Sequence, residues 1–189
     1  IDHWGVRPDL LVAGKGTASG YWPLALCVAS REVFDVVRET GFVHGFTYSH
    51  HPVGAAVGRS VLTLLTEERL VEASAARGAR LIAGLRGRLT HSPIVGDIRG
   101  LGLLIGIEFV RDRETLEPFE RSFRVTEQVL SAAKEIGLLL YPSTGFVDGT
   151  RGDAVLFGPP LVISDEEVEL AADRAARAVE QVAARLEGL

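Results

Sequence analysis

The chain has 189 residues, of which 47% are hydrophobic and 24% charged, proportions that exclude a disordered or collagen-like polymer. Its formal net charge of −5 (20 basic, 25 acidic residues) gives no bulk basic field for nucleic acid or an anionic membrane. A single cysteine, Cys27, excludes an internal disulfide framework and any multi-cysteine zinc site, and it suits a reducing, cytoplasmic setting.

Asp9 to Ala13 is a short apolar run closed by Gly14-Lys15-Gly16, which reads as a buried strand entering a turn. A second run, Leu24 to Ala29, follows Tyr21-Trp22-Pro23 and would bury Cys27. Ser30 starts a short helix that ends before Gly41. Residues 42–51 form a loop rich in Gly, His and aromatics. Pro52 can open a helix, and the pattern stays helical to Arg88, with a break at Thr66-Glu67-Glu68 that marks a domain boundary at 66/67.

The second half changes rhythm. Ile94 to Arg99 and Leu103 to Val110 read as strands separated by Gly100-Leu101-Gly102. A polar loop, 111–120, precedes an amphipathic helix from Phe123 to Ile136. Leu138 to Tyr141 and Ala154 to Phe157 read as strands around a turn-rich loop, 142–152. Ser164 followed by Asp165, Glu166 and Glu167 is a strong helix start, and that helix runs to about Leu186. The order, βαβ-like and then ββαββα, predicts an α/β part followed by an α+β part. No stretch is long and apolar enough to span a bilayer as a helix.

Gly14-Lys15-Gly16 is not a P-loop, because the upstream glycine is missing near Asp9 and Gly16 follows the lysine. It is not a Rossmann fingerprint either, since Ser19 stands where the third glycine belongs; Gly100-x-Gly102 fails in the same way at Ile105. What remains is a lysine at the end of an apolar strand between two glycines. It is either an ordinary exposed turn lysine or a nucleophile, since the neutral amine attacks carbonyls and glycines permit close approach. His44, His50 and His51 lack the spacing and the companion carboxylate of a metal site and read as loop packing. Trp4 and Trp22 read as packing or interface residues.

Five separated segments carry a resemblance. Arg7-Pro8-Asp9-Leu10-Leu11-Val12-Ala13-Gly14-Lys15-Gly16 resembles the segment around the cofactor lysine of class III aminotransferases, which use pyridoxal 5'-phosphate (PLP). Gly20-Tyr21-Trp22-Pro23-Leu24 is similar to that family's Gly-Tyr-x-Pro-Leu. His44-Gly45-Phe46-Thr47-Tyr48-Ser49-His50-His51-Pro52 resembles its His-Gly-x-Thr-x-Ser-Gly-His-Pro. Val95 to Leu103 and Gly158 to Ile163 are also family-like, in the same order.

The resemblance implies a fold-type I PLP-dependent transferase. Residues 1–66 would end the large PLP-binding domain, and 67–189 would form an α+β small C-terminal domain. It implies Lys15 as the Schiff-base lysine and proton shuttle, and Thr47 as a hydrogen-bond donor to the PLP phosphate of the neighbouring subunit. Phe46 would line that pocket through its backbone. It implies a homodimer with shared active sites that transfers an amino group from an amine or ω-amino acid to a keto acid such as pyruvate or 2-oxoglutarate. Other class III chemistry (aminomutase, racemase or decarboxylating) and a fragment that does not bind PLP stay open.

The chain departs from the pattern in places. Ala18-Ser19 and His50 stand where the family usually has glycine. Gly149 occupies the place of an arginine found in many ω-amino acid relatives, and Arg151 is near but not equivalent. The loop from Tyr141 to Gly149 resembles a subgroup labelled aspartate aminotransferase family or ω-transaminase. The family's pyridine-nitrogen aspartate, phosphate-cradling turn and ring-stacking aromatic fall before position 1 by this resemblance. The chain also contains no Met. It is therefore expected to be part of a longer protein and to be inactive alone.

Overall fold

The computed structural model describes residues 1–187. They fall into two compact units that divide between Arg69 and Leu70.

In the first unit, strand β1 (Leu10–Ala13) pairs antiparallel with β2 (Leu26–Ala29), with Leu10 opposite Ala29 and Ala13 opposite Leu26. Between them lies a single 3-10 turn, Lys15–Ala18. The expected βαβ-like order is thus corrected to ββα. A parallel pair needs a long crossover, and this link holds only one tight turn. Helix α1 (Arg31–Thr40) starts where Ser30 Oγ accepts from Val33 N at 3.3 Å, and it stops at Gly41, whose φ of 81° leaves the helical region. Helix α2 (Pro52–Glu67) opens on proline, whose missing N–H is no loss at a first turn.

This unit buries little. Every residue of β2 is exposed, Cys27 included. The burial expected for Cys27 is corrected: a two-stranded ribbon has little to press its faces against.

The second unit holds the described core. Helix α3 (Leu70–Leu89), β3 (Val95–Leu101), β4 (Leu104–Phe109), α4 (Val125–Glu135), β5 (Tyr141–Thr144), β6 (Asp153–Phe157) and α5 (Asp165–Leu186) follow in chain order. The strands form one antiparallel sheet in the order β3-β4-β6-β5. Alternation sets its buried face: Ile105, Ile107 and Phe109 are buried while Leu104 is exposed. Against them pack Leu81, Leu85 and Leu89 from α3, Val129 from α4, and Val168 and Val179 from α5. Full burial of such side chains contributes about 1.5–3 kcal/mol each before entropy is subtracted. Ser164 and Glu167 close a reciprocal capping box at the start of α5.

Two strand limits differ from the sequence expectation. Gly100 and Leu101 continue β3, and the hairpin turns at Gly102-Leu103, where Gly102 has φ 56°. The last strand pair uses Tyr141–Thr144 rather than Leu138–Tyr141, with Tyr141 opposite Leu156 and Thr144 opposite Asp153. Pro142 fits there because β5 is an edge strand with one side free of pairing. Among the described residues, no helix is long and apolar enough to cross a membrane.

Candidate active site

Lys15 stands at the start of the turn that leaves β1. It is exposed and its φ is 53°, a left-handed backbone that costs a non-glycine residue about 1–2 kcal/mol. Its flanks are open: a Cβ on Gly16 would meet nothing within 4 Å, and one on Gly14 would meet only Ala25 Cβ at 3.9 Å. Among the described residues its amine forms no ion pair or hydrogen bond.

The turn is held from behind. Thr17 Oγ1 donates to Leu24 O at 2.9 Å, and Ala18 is fully buried. Leu24 fits over Gly58 of α2, where a Cβ would lie 2.6 Å from Leu24 Cδ2. Trp22 fits over Gly54, where a Cβ would lie 2.8 Å from the indole Nε1. Two glycines one helical turn apart thus make a flat strip on α2 for the segment that follows Lys15.

Thr47 and Phe46 lie on the loop that leads into α2. Both are exposed, and Ser49 N donates to Phe46 O at 2.9 Å across the turn 47–50. Among the described residues the Thr47 hydroxyl has no bonded partner. His50 follows with φ 57°. His44 sits between the rings of Phe42 and Phe46, at 5.7 and 5.9 Å between centroids. His51 stacks on Trp22 with centroids 5.0 Å apart and planes at 30°. His44 and His51 thus pack against aromatic rings, and no group of three His, Cys, Asp or Glu side chains among the described residues could hold a metal ion.

Of the three residues that stand where the resemblance expects glycine, Ser19 and His50 keep positive φ, 48° and 57°. Ala18, by contrast, replaces the other glycine as a buried methyl. In the sequence Trp22 and His51 read as separate packing residues, and in the fold they stack. The signal that could have found it is the Gly54–Gly58 pair, whose spacing marks a close approach on one helix face.

An open, unpaired amine on a glycine-flanked turn can hold an aldehyde covalently, and an unpartnered hydroxyl on a second loop can donate to an anion. Each suits one group of a phosphorylated aldehyde, the amine its carbonyl and the hydroxyl its phosphate.

A family model described as Aminotransferase class-III matches residues 1–179. The uncharacterized aminotransferase YodT of Bacillus subtilis is 39% identical over 170 residues, covering 89% of this chain and 38% of that protein. A probable gamma-aminobutyrate transaminase 3, mitochondrial, of Oryza sativa subsp. indica is 33% identical over 173 residues, covering 89% of this chain and 32% of that protein. The crystal structure of a transaminase from the marine bacterium Virgibacillus superposes with a TM-score of 0.91 at 34% identity, covering 98% of this chain and 42% of that one. The chain thus spans less than half the length of the relatives it matches.

Proposed function

The chain belongs to the class-III aminotransferase family with a fold-type I architecture, and from that premise we propose that it is the C-terminal part of a PLP-dependent aminotransferase. Residues 1–66 end the large PLP-binding domain, and residues 67–189 are the small C-terminal domain. The reaction passes an amino group from an amine or ω-amino acid donor to a keto acid such as pyruvate or 2-oxoglutarate. The relative named as a gamma-aminobutyrate transaminase supports the ω-amino donor. The enzyme is a homodimer with active sites shared across its interface, and the free, exposed Cys27 suits the cytoplasm.

PLP, when bound, supplies an electron sink for the bonding pair released when the substrate loses its α-proton. Lys15 is the residue that would hold that cofactor covalently, through Nζ as the neutral amine. With its amine unbound and neutral, Lys15 Nζ would take the α-proton as a general base and return it as a general acid. The glycines on either side leave open space around it. Left-handed backbone held by surrounding bonds is typical of functional turns, where it costs of order 1–3 kcal/mol. Here the Thr17–Leu24 bond and the buried Ala18 hold it. Thr47 would donate its hydroxyl to the cofactor phosphate in the neighbouring subunit's site, and the Phe46 backbone would line the same pocket.

The observation that carries this reading is the open amine of Lys15 on a strained turn between Gly14 and Gly16. Borohydride reduction of the full-length enzyme followed by peptide mass mapping tests it. The expected product is the reduced cofactor on Lys15. Lys15→Ala should abolish both the adduct and transamination while circular dichroism stays unchanged. Turnover retained in that variant, or the adduct on another lysine, would refute the assignment.

A further inference from the structure

The loop that carries Phe46 and Thr47 has few anchors of its own. Its one described backbone bond outside α2 is the Ser49–Phe46 turn. Its rings lean on each other, Phe42 on His44 and His44 on Phe46, and Phe42 and Phe46 are about 70% exposed, so they fix nothing to a core. The anchor is at the far end. There the His51 ring lies on the Trp22 indole at 5.0 Å, and Tyr48 approaches the same imidazole at 6.3 Å. His51 Nδ1 is buried without a described hydrogen-bond partner, so the stack rather than a polar bond holds this ring.

Trp22 is itself packed on α2. The indole lies against Gly54, where a Cβ would come within 2.8 Å of Nε1 and 2.9 Å of Cδ1. It also belongs to the segment whose Thr17–Leu24 bond holds the Lys15 turn. One aromatic contact therefore joins the segment that fixes the lysine to the loop that presents the threonine.

We propose that Trp22 is a positioning residue: its stack with His51 sets the place of Thr47 relative to the Lys15 turn. It touches no reacting atom, and its effect passes through His51 to the loop. The inference rests on the reading of Thr47 as a phosphate ligand. Under that reading the stack ties a residue of one active site to a loop that serves the other.

The test uses the full-length dimeric enzyme with Trp22→Leu, which fills the notch over Gly54 without stacking, Trp22→Phe, which keeps a ring there, Thr47→Ala, and the Trp22→Leu/Thr47→Ala double variant. Trp22→Leu should weaken PLP retention in equilibrium dialysis by about tenfold, within the range for coupling between contacting groups. Trp22→Phe should restore most of it. The double variant should retain PLP no worse than Thr47→Ala alone. The fraction of Lys15 fixed by borohydride at saturating PLP should not change. In the apoenzyme, amide hydrogen exchange over residues 43–49 should speed up in Trp22→Leu and not in Thr47→Ala.

Additive losses in the double variant, or native retention in Trp22→Leu, overturn the proposal. If Trp22→Leu does not fold, His51→Leu breaks the same stack from the other side, and loss of fold in both makes the contact merely structural and overturns the positioning role. Native retention in Thr47→Ala sinks the phosphate-ligand reading itself, a result distinct from weakened retention there with native retention in Trp22→Leu.

Discussion

Helix α3 meets the β3–β4 hairpin at Gly78 and Gly102, so closely that a Cβ on Gly78 would fall 1.9 Å from the Gly102 carbonyl oxygen. Ser74, on the same helix face, accepts from Leu103 N at 3.2 Å and ties the hairpin tip to the helix. The neighbour at Gly78 is backbone and cannot swing away as a flexible side chain would. Gly78→Ala gains up to about 1 kcal/mol of helix propensity but overpacks a rigid contact, which costs roughly 1–3 kcal/mol or more. The expected net result is a loss of stability, read as a lower urea midpoint. Gly87 on the same helix has nothing within 4 Å. Gly87→Ala should raise stability by about 0.5–1 kcal/mol. Opposite signs from one substitution on one helix check the contact, and a gain at both sites would show that helix and hairpin stand apart in solution.

Asp153, at the start of β6, caps helix α4. It is fully buried, and its Oδ1 accepts from Thr126 N at 3.0 Å and from Thr126 Oγ1 at 2.7 Å. The residue at the N-cap position, Arg124, has φ 50° and supplies no side-chain cap. Asp153→Ala would leave buried donors at Thr126 unpaired, at a cost of about 1–3 kcal/mol. Asp153→Asn keeps a carbonyl oxygen for them and should lose less. Equal losses in the two variants, measured by urea denaturation, would mean that the hydrogen bonds are not what Asp153 contributes.

Ser19 and His50 hold left-handed backbone without being glycine. Ser19→Gly and His50→Gly should each relieve part of a strain of about 1–2 kcal/mol, less the entropy that glycine adds to the unfolded chain. The expected outcome for each is a small rise in thermal midpoint. Ala18→Gly should do the reverse, because Ala18 is a buried methyl. A lower midpoint in Ser19→Gly or His50→Gly would show that the native side chain holds its turn by contacts worth more than the strain.

Local chemistry made part of this fold legible in the sequence. Ser30 and Ser164 cap the helices they were expected to start, Pro52 opens α2, and α2 ends at Glu67, inside the expected break. Pairing partners were less legible. Leu138 to Leu140 are apolar enough to read as strand, yet the sheet takes Tyr141–Thr144, because those residues come opposite β6. Cys27 looked buried because its neighbours are apolar, but burial depends on a second layer that no single strand encodes. At the site, the glycines beside Lys15 were visible in the sequence. The φ of Lys15 and the stack of Trp22 on His51 were not, since both follow from how the segment beyond the turn lies on Gly54 and Gly58.

Thr47 offers its hydroxyl from an exposed turn. If it donates to a phosphate, Thr47→Ala should weaken PLP retention by about 1.5–3 kcal/mol, the usual worth of a hydrogen bond to a charged group. Thr47→Ser should retain most of the affinity. Equilibrium dialysis of the two variants decides the matter, and native affinity in Thr47→Ala would put the residue outside the cofactor site.

Asp148 organises the loop between β5 and β6, and it carries the pH dependence most open to measurement. Its Oδ1 accepts from Arg151 N at 2.7 Å and from Thr150 N at 3.0 Å, and its Oδ2 accepts from Arg151 Nε at 2.8 Å. The Arg151 backbone N–H, then the Arg151 side chain and the Thr150 N–H, lower the carboxyl from 3.8 to about 2. The folded pKa is the lower one, so the stabilisation is complete above the unfolded value near 3.8 and is lost as pH falls through about 2. The carboxyl signal of Asp148 should therefore titrate near 2 by NMR, and amides 149–152 should shift over the same acid range. Arg151→Gln removes the guanidinium and should move that midpoint upward. A midpoint near the ordinary aspartate value in the native protein would mean that the loop does not keep this arrangement in solution.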